Sequence, residues 1–354
     1  MPTLVYVVRG DAPRAQQELS YSVLSALKHG LGDVEILLIC DTANQRPDLP
    51  VNHHILPPDV LADWTGRAAP SATAGPPPDA VGLADAAGLA LDLTQGPICL
   101  MATATAFRAP PQRLFDQFRP GVVLVQDQDG WLAGRPDCAT VIAATRESSD
   151  EAAVHPGAAL YDLGVLGIYP QDASCLKSSN LLGSRLIFLP EISNIEQLSL
   201  SLALGDPDRE VRFARDLLEH YNGPMRHVYH GRFDVMFPAR APVNLQMAGQ
   251  LPTITEPPKP LFLRWKAKLV AIWRRMGPGT QAGYLAYLCA FAAPTAEGRD
   301  VWANIALDHL HRSQRPRMKL RQEFSKLAPG AFETAGVKPA TAARWLRFWM
   351  SSEA

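Results

Sequence analysis

The stretch Ile98-Cys99-Leu100-Met101-Ala102-Thr103-Ala104-Thr105-Ala106-Phe107 decides how this chain is read. Its apolar start, Ile98 to Met101, predicts a short buried strand. The residues after it alternate alanine with threonine and lead to a pair of prolines, Pro110-Pro111, which punctuate the chain before the next element. A fully apolar strand of this length is typical of the interior of an α/β sheet.

Outward from this stretch, apolar runs alternate with helical patterns. We predict strands at residues 3–8, 34–40, 97–101, 121–125, 139–144 and 160–168. We predict helices at residues 14–29, 80–93, 110–118, 194–204 and 208–220. This alternation implies an α/β fold with a mainly parallel sheet and helices on both faces. Ligands of such sheets bind at the carboxyl ends of the strands, which are followed or lined here by Arg9, Asp41, Thr103, Arg108 and Gly164.

Several short motifs, taken together and in order, resemble those of one family. They are Tyr6-Val7-Val8-Arg9-Gly10, the strand ending at Asp41, residues 98–107, Tyr161-Asp162-Leu163-Gly164, Ile195-Glu196-Gln197-Leu198 and Val228-Tyr229-His230-Gly231. The set resembles the GT-A glycosyltransferases, which transfer a sugar from a nucleotide diphosphate. The resemblance covers residues 3 to 237 and implies a GT-A-like, Rossmann-like sheet.

The resemblance also implies roles for individual residues. The donor-binding positions that it implies are Val8, Arg9, Asp41, Ala102, Thr103, Ala104, Arg108, Gly164 and His230. Two carboxylates are candidate catalytic residues: Asp162, which stands where the family has asparagine and could act as a general base on an acceptor hydroxyl, and Glu196, which could orient an acceptor. For both carboxylates a capping role in the fold remains the alternative. His230 is expected on a late strand, from which it would reach the diphosphate.

The chain departs from the family at the metal-binding motif. The family has Asp-Thr-Asp where this chain has Ala102-Thr103-Ala104, and the methyl group of alanine cannot ligate a cation. We therefore expect no metal site and no cofactor here; Mn²⁺ or Mg²⁺ would be expected only with aspartates at positions 102 and 104. The preceding segment, Ala68 to Leu93, has no lysine or arginine, although the family carries basic donor contacts there.

Three explanations of the alanines stay open. They are an engineered double substitution, a natural change in a relative that has lost transfer activity, or a natural change in an enzyme that handles its donor without metal. The wider loss of charged residues in Ala68 to Leu93 favours a natural change. Whether the chain is an enzyme is left undecided by the sequence.

Two functions follow from the resemblance. The first is a bacterial-type glycosyltransferase that moves a sugar from a nucleotide-diphosphate donor, such as a UDP-sugar, to a glycan or lipid-linked acceptor. As written, that protein would be inactive or metal-independent. The alternative is a non-catalytic pseudo-glycosyltransferase that acts as a scaffold or binding partner.

Composition bounds the class of protein. The chain has 354 residues, of which 47% are hydrophobic and 19% charged, which is typical of a folded protein with a full core. No run of eighteen apolar residues predicts a membrane span, and the first residues lead directly into a strand without a signal-peptide pattern. The five cysteines form no Cys-x-x-Cys pair, so we expect unpaired thiols and a cytoplasmic location.

Charge is divided unevenly along the chain. Residues 1–258 carry 18 basic and 29 acidic residues, a net charge of −11, whereas residues 259–354 carry 16 and 6, a net charge of +10. Prolines at positions 252, 257, 258 and 260 lie between the two parts. We therefore predict a nucleotide-sugar domain at 1–255 and a basic helical C-terminal region at 256–354.

The segment 261–276 is a candidate for contact with a membrane. It has helical periodicity, two tryptophans, Trp265 and Trp273, five basic residues and no acidic residue. Such a helix either lies on a membrane surface, on the inner face if the protein is cytoplasmic, or packs its apolar face on the first domain. We expect the packed arrangement, with both tryptophans buried. A second basic stretch, residues 311–321, lacks any motif for nucleic acid, so nucleic acid is not an expected partner.

Overall fold

A computed structural model describes residues 1–10, 13–57, 59–60, 64, 82–145, 154–189, 192, 194–205, 209–237, 242–313, 320, 324, 332 and 335–350. The chain divides into two compact units. The first comprises Met1–His220 and Arg240–Leu251, and the second comprises Tyr221–Ala239 and Pro252–Ala354.

The first unit is built on a seven-stranded sheet. Its strands are β1 (Thr3–Val8), β2 (Glu35–Cys40), β3 (Asn52–Ile55), β4 (Ile98–Met101), β6 (Val122–Trp131), β7 (Ala159–Ile168) and β8 (Glu210–Phe213). They follow the order β3-β2-β1-β4-β7-β6-β8. Within the described part of this seven-stranded sheet, only β7 runs antiparallel to its neighbours, β4 and β6. A separate antiparallel pair joins β5 (Thr105–Phe107) to β9 (Leu218–His220). The mixed α/β class with a mostly parallel sheet is therefore confirmed.

Helices cover both faces of this sheet. Their bounds are α1 (Pro13–His29), α2 (Leu83–Thr94), α3 (Gln112–Phe115), α4 (Cys138–Thr145), α5 (Ser174–Leu186) and α6 (Ile195–Leu204). Successive side chains of a strand point to opposite faces. Leu4, Tyr6 and Val8 of β1 accordingly share a core with α1, whereas Val5 shares a core with α2, α5 and α6. The apolar run Ile98–Met101 is fully buried in β4, as the sequence predicts.

The second unit is helical. Its helices are α7 (Gly223–Met236), α8 (Leu261–Trp273), α9 (Pro278–Ala292), α10 (Ala296–His311) and α11 (Pro339–Met350). Aromatic residues fill its core: the ring centres of Trp345 and Phe332 are 4.6 Å apart, and Trp302 is almost fully buried. No helix among the described residues is long and apolar enough to cross a bilayer. All five cysteines are unpaired, as expected.

Helix α8 corrects one expectation. Trp265 and Trp273 are exposed, so the prediction that this helix buries its tryptophans is wrong. The helix instead buries a narrow stripe of Leu263, Ala267 and Ala271 and packs beside α9. Small side chains allow two helices to approach closely, and the larger aromatic residues are left on the other side.

The strand predicted at residues 139–144 is also wrong, because Cys138–Thr145 form helix α4. Short apolar runs fit a strand and a buried helix equally well. Here the run contains alanines, which favour a helix, and its buried residues, Val141 and Thr145, are four apart, on one helical face.

The opposite error occurs at residues 208–220, predicted as one helix. The structure has β8 at Glu210–Phe213 and β9 at Leu218–His220 instead. Each strand is short and is stabilised by a partner distant in sequence, β6 for β8 and β5 for β9. Tertiary pairing of this kind overrides local helix propensity.

The late strand predicted around Val228 to Gly231 is wrong as well, since these residues lie within α7. Pro224 stands in the first turn of this helix, where its fixed backbone angle suits helix initiation. Val228, Tyr229 and Phe233 form the buried side of the helix. Other predictions lie partly outside the described residues: the segment Ala68 to Leu93 is described only from residue 82, and the basic stretch 311–321 is described only at 311–313 and 320.

Candidate functional site

The carboxyl ends of β1 and β2 are joined by a carboxylate. The backbone N–H of Gly10 donates to Oδ2 of Asp41 at 2.7 Å, and the N–H of Asn44 donates to Oδ1 at 3.0 Å. Gly10 has a positive φ of 65°, a left-handed conformation that glycine adopts without steric cost. Asp41, a predicted donor contact, therefore serves the fold directly by shaping the turn that carries Arg9.

The segment after β4 is held by one polar face of α1. Its residues Glu18, Ser22 and Ser25 are spaced at helical intervals and face this segment. Thr103 Oγ1 donates to Glu18 Oε2 at 2.9 Å, the hydroxyls of Ser22 and Thr105 are 2.8 Å apart, and the N–H of Phe107 donates to Ser25 Oγ at 2.9 Å. Since Glu18 is fully buried, the hydroxyl of Thr103 is engaged in the interior.

The two alanines lie on this segment. Ala102 is half-buried, and its N–H donates to the carbonyl of Gly164 at 3.0 Å. This hydrogen bond connects the segment after β4 to β7. Ala104 is buried, at 5% exposure. Within the described part of the chain, no cluster of three or more His, Cys, Asp or Glu residues could hold a metal ion.

A carboxylate–imidazole pair lies beside this contact. Asp162 Oδ1 accepts a hydrogen bond from the N–H of Gly164 at 2.9 Å and lies 2.8 Å from Nδ1 of His220. A Cβ atom at position 164 would lie 2.4 Å from Cγ of His220, so only glycine allows the imidazole to pack here. The pair is about four-fifths buried, with side-chain exposures of 21% for Asp162 and 17% for His220.

Sequence reasoning missed His220. The residue stands opposite Thr105 in the pairing of β5 with β9, and that pairing carries it to Asp162. The sequence predicts a helix over this segment, because a three-residue strand is too short to show a strand pattern of its own. The only local signal is a histidine two residues after the apolar pair Leu217-Leu218, and this pattern does not distinguish a site residue from a surface residue.

The second predicted carboxylate, Glu196, has different surroundings. It stands in the first turn of α6, where burial raises the pKa of its carboxyl group from 4.5 to about 8. The negative charge of Asp85 raises this pKa further, whereas a hydrogen bond from the Leu83 backbone and the positive charge of Arg9 lower it. The Glu196 carboxyl group is therefore largely protonated at neutral pH, and it can donate a hydrogen bond.

Glu196 lines a cavity of about 330 Å³ between the starts of α2 and α6 and the end of α5. Most of the lining is apolar, and it includes Phe188, which is largely exposed at the chain's surface. At its polar side, Nδ2 of Asn180 donates to Oδ1 of Asp85 at 2.8 Å. A pocket with an apolar wall and a few polar groups is the usual form of a small-molecule site.

The structure brings together some predicted residues and not others. Ala102, Gly164 and Asp162 meet through hydrogen bonds, and Arg9 is close enough to Glu196 to shift its pKa. Val8 is buried within β1 and offers only its backbone. Arg108 is exposed and pairs with Glu219 at 2.9 Å.

His230 has a different position from the one predicted. It lies on α7 in the second unit, and the centre of its ring is 6.1 Å from the ring centre of Phe233. The late strand that would have carried it to the rim of the sheet does not form. The site described here is therefore assembled from residues of the first unit.

Comparison with known proteins finds similarity to solved structures only at low sequence identity. No protein-family model matches the chain, and no curated protein matches it in sequence. The solved structure of the galactosyltransferase LgtC with donor and acceptor sugar analogues is similar at 14% identity and a TM-score of 0.43, over 72% of this chain and 98% of that one. An active-site mutant of LgtC is similar at 11% identity and a TM-score of 0.40, over 71% and 85%. Mouse xyloside xylosyltransferase 1, in its apo form, is similar at 12% identity and a TM-score of 0.36, over 60% and 85%. All three neighbours are sugar transferases.

Proposed function

We propose that this chain is a glycosyltransferase-like protein that binds a nucleotide-diphospho-sugar at the carboxyl edge of its sheet, without a divalent cation at Ala102 and Ala104. One observation carries the proposal. The hydrogen bond from Ala102 to Gly164 joins the segment that resembles the family's metal motif to the segment that contains Asp162. Two motifs some sixty residues apart thus share one rim, where α/β proteins bind ligands.

The charge of the diphosphate would have to be met by the protein itself. Arg9 and Arg108 are the basic candidates, and backbone N–H groups at the turns can assist them. Arg108 already pairs with Glu219, so donor binding would exchange one anionic partner for another. A site of this kind would bind the diphosphate through protein groups alone, without a metal ion.

The two carboxyl groups would have separate tasks in transfer. Asp162, oriented by Gly164 and His220, would accept a proton from an acceptor hydroxyl. Glu196, protonated in its cavity, would donate a hydrogen bond to a sugar hydroxyl. The acceptor would be a glycan or a lipid-linked sugar, and the protein would work in the cytoplasm, with peripheral contact to the membrane through residues 261–276.

A non-catalytic role is the second candidate. It is favoured by the engagement of Thr103 and Asp41 in the fold, since both side chains stabilise the rim rather than present oxygens to a ligand. In that case the chain would be a scaffold or binding partner that keeps the fold without transferring sugar.

Calorimetry on the whole chain tests the proposal. UDP, GDP and CDP are titrated in buffer containing a chelator and again with Mn²⁺. Binding of one nucleotide with the same affinity in both buffers would support the proposed site, and Arg9→Ala should weaken that binding. If no nucleotide binds in either buffer, the proposal fails. Where a nucleotide does bind, slow hydrolysis of the matching sugar nucleotide would favour the enzyme over the scaffold.

The double variant Ala102→Asp, Ala104→Asp asks whether the lost motif can be restored. An engineered pair of alanines predicts that the variant gains Mn²⁺-dependent nucleotide binding; long divergence predicts no gain. The matched control is Ala102→Asn, Ala104→Asn, which adds similar volume without charge. Because Ala104 is buried, thermal denaturation of both variants must accompany the titration.

A further inference from the structure

Helix α8 turns a large apolar face to solvent. Six of its side chains, each 64% to 78% exposed, form this face: Leu261, Phe262, Trp265, Leu269, Ile272 and Trp273. Single exposed apolar residues are ordinary on protein surfaces, but a contiguous set that includes two tryptophans and a phenylalanine marks an interaction surface. We call these six residues the aromatic face.

The geometry of the helix explains why this face has no cover within its own unit. The buried residues Leu263, Ala267 and Ala271 follow one another at four-residue intervals and form a single stripe. At about 100° per residue, the aromatic face centres on the opposite side of the helix from that stripe. Because the helix packs through the stripe of Leu263, Ala267 and Ala271, its aromatic face points away from that contact.

Basic residues border the aromatic face. On a helical projection, Arg264 and Lys268 lie along one edge of it and Lys266 along the other, and all three are exposed. Arg274 and Arg275 follow at the end of the helix, and residues 261–276 contain no acidic residue. Nζ of Lys268 is 5.9 Å from the ring centre of Trp265, and Cζ of Arg274 is 5.5 Å from that of Trp273.

We propose that the aromatic face is a docking surface for an anionic lipid bilayer. An amphipathic helix with this pattern lies in the plane of the membrane interface, with its apolar side chains among the acyl chains and its basic side chains at the headgroups. Tryptophan favours the interface because its ring is apolar and its N–H is polar. The uniform positive border complements a negatively charged surface, which supplies the second attraction.

The inference rests on the membrane contact included in the proposed function and names its residues and lipid charge. It does not depend on the sugar-nucleotide site, because every residue involved lies on α8 or directly after it, in the second unit. Lipid is favoured over a protein partner by the border, which has positive charge on both edges and no acidic residue. A surface that binds another protein would be expected to carry both positive and negative side chains at its border. Self-association of two copies is an outcome that the experiment distinguishes.

The test is co-sedimentation of the full chain with vesicles. Phosphatidylcholine vesicles are compared with vesicles that also contain phosphatidylglycerol, at low and high salt. We expect the anionic vesicles to bind at least about tenfold more tightly, and salt to weaken that binding because it screens exposed charges. Equal binding to both vesicle types, or none to anionic vesicles at low salt, would overturn the proposal.

Two pairs of variants separate the contributions of the helix. Trp265→Ala with Trp273→Ala should lose about tenfold or more in affinity, whereas Trp131→Ala, at a tryptophan that is 56% exposed on β6, should bind like the wild type. Arg264→Glu with Lys268→Glu should also lose binding, whereas Arg113→Glu with Arg119→Glu changes the net charge equally and should retain most of it. Loss in the control variants to the same extent would contradict docking through α8.

Sedimentation velocity provides the remaining readout. A wild-type chain that forms dimers, which the double tryptophan variant abolishes, while neither binds anionic vesicles, would assign the aromatic face to a second copy and refute the membrane proposal. A monomer that binds anionic vesicles supports it.

Discussion

Asp162 and Glu196 are the same kind of group in two unlike surroundings. The Asp162 carboxylate has two close polar partners: the amide nitrogen of Gly164 and Nδ1 of His220 both lie within 3 Å of its Oδ1 atom. Glu196 has an apolar cavity on one side, and burial raises the pKa of its carboxyl group to about 8. Surroundings, rather than residue type, assign the carboxylates their chemistry: one is held in place by donors, and the other is held neutral.

The largest expected effect comes from adding a side chain at Gly164, where the imidazole of His220 packs against the backbone. In Gly164→Ala, the new methyl group would lie 2.4 to 2.6 Å from the Cγ, Cβ and Nδ1 atoms of His220, and these atoms are at the base of the side chain. We expect a loss of about 3 kcal/mol in the free energy of unfolding, measured by urea denaturation.

Gly88→Ala is the matched control for that substitution. Gly88 lies within α2, and nothing stands within 4 Å of an added Cβ atom. Alanine should stabilise the helix there by about 0.5 to 1 kcal/mol. A Gly164→Ala variant as stable as the wild type would show that His220 does not occupy the described position.

The next effect compares two aspartates that face each other across β6 and β7. Asp127 is in register with Asp162, but it is 38% exposed and pairs with the more exposed Arg215. Asp162→Ala should cost about 2 kcal/mol, because it leaves the Gly164 N–H and the His220 ring without their acceptor. Asp127→Ala should cost less than about 0.5 kcal/mol, as exposed ion pairs contribute little. Equal losses of stability in the two variants, measured by thermal denaturation, would contradict this difference between Asp162 and Asp127.

Glu196 should leave a signature in the pH dependence of stability. Between pH 4.5 and about 8 the folded protein keeps a proton on Glu196 that the unfolded chain has lost. The free energy of unfolding therefore falls as the pH rises through this window. Glutamine does not titrate, so Glu196→Gln lacks this fall. From the acid to the alkaline end of the window, the free energy of unfolding of the variant should therefore rise relative to that of the wild type by on the order of 2 kcal/mol.

Urea denaturation at several pH values measures this gain. The matched control is Glu35→Gln, which changes an exposed glutamate at the start of β2. If wild type and Glu196→Gln keep a constant difference in stability from acid to mildly alkaline pH, Glu196 is not held neutral by its cavity.

The smallest effect sharpens the electrostatic part of the comparison. Asp85 raises the pKa of Glu196, although less than burial does. Asp85→Asn should therefore lower that pKa without restoring it to 4.5, while its side-chain oxygen can still accept from Asn180. Carbon NMR of labelled glutamate carboxyl groups follows the titration. Asp92→Asn, on the same helix and exposed, should leave it unchanged.

The site was only partly predictable from the sequence. The carboxyl-edge residues Arg9, Asp41 and Thr103 follow from where the strands end, and apolar periodicity located those ends. His220 could not be found in this way, because its place depends on the pairing of β9 with β5, more than one hundred residues away in sequence. The strand prediction for His230 is wrong because it rests on the resemblance of Val228-Tyr229-His230-Gly231 to a late strand of the family, and four residues are too few to distinguish a strand from a helix.

By itself, the sequence determined the class of the fold, the buried strand Ile98–Met101 and the absence of ligating side chains at Ala102 and Ala104. These features are local, since hydrophobic pattern and side-chain chemistry are properties of the residues themselves. Tertiary structure alone decided that β8 and β9 are strands, that Asp162 meets His220, and that α8 turns its tryptophans outward. The physical reason is common to all three: each depends on which distant surface a segment packs against, and the free energy of that contact exceeds local preference.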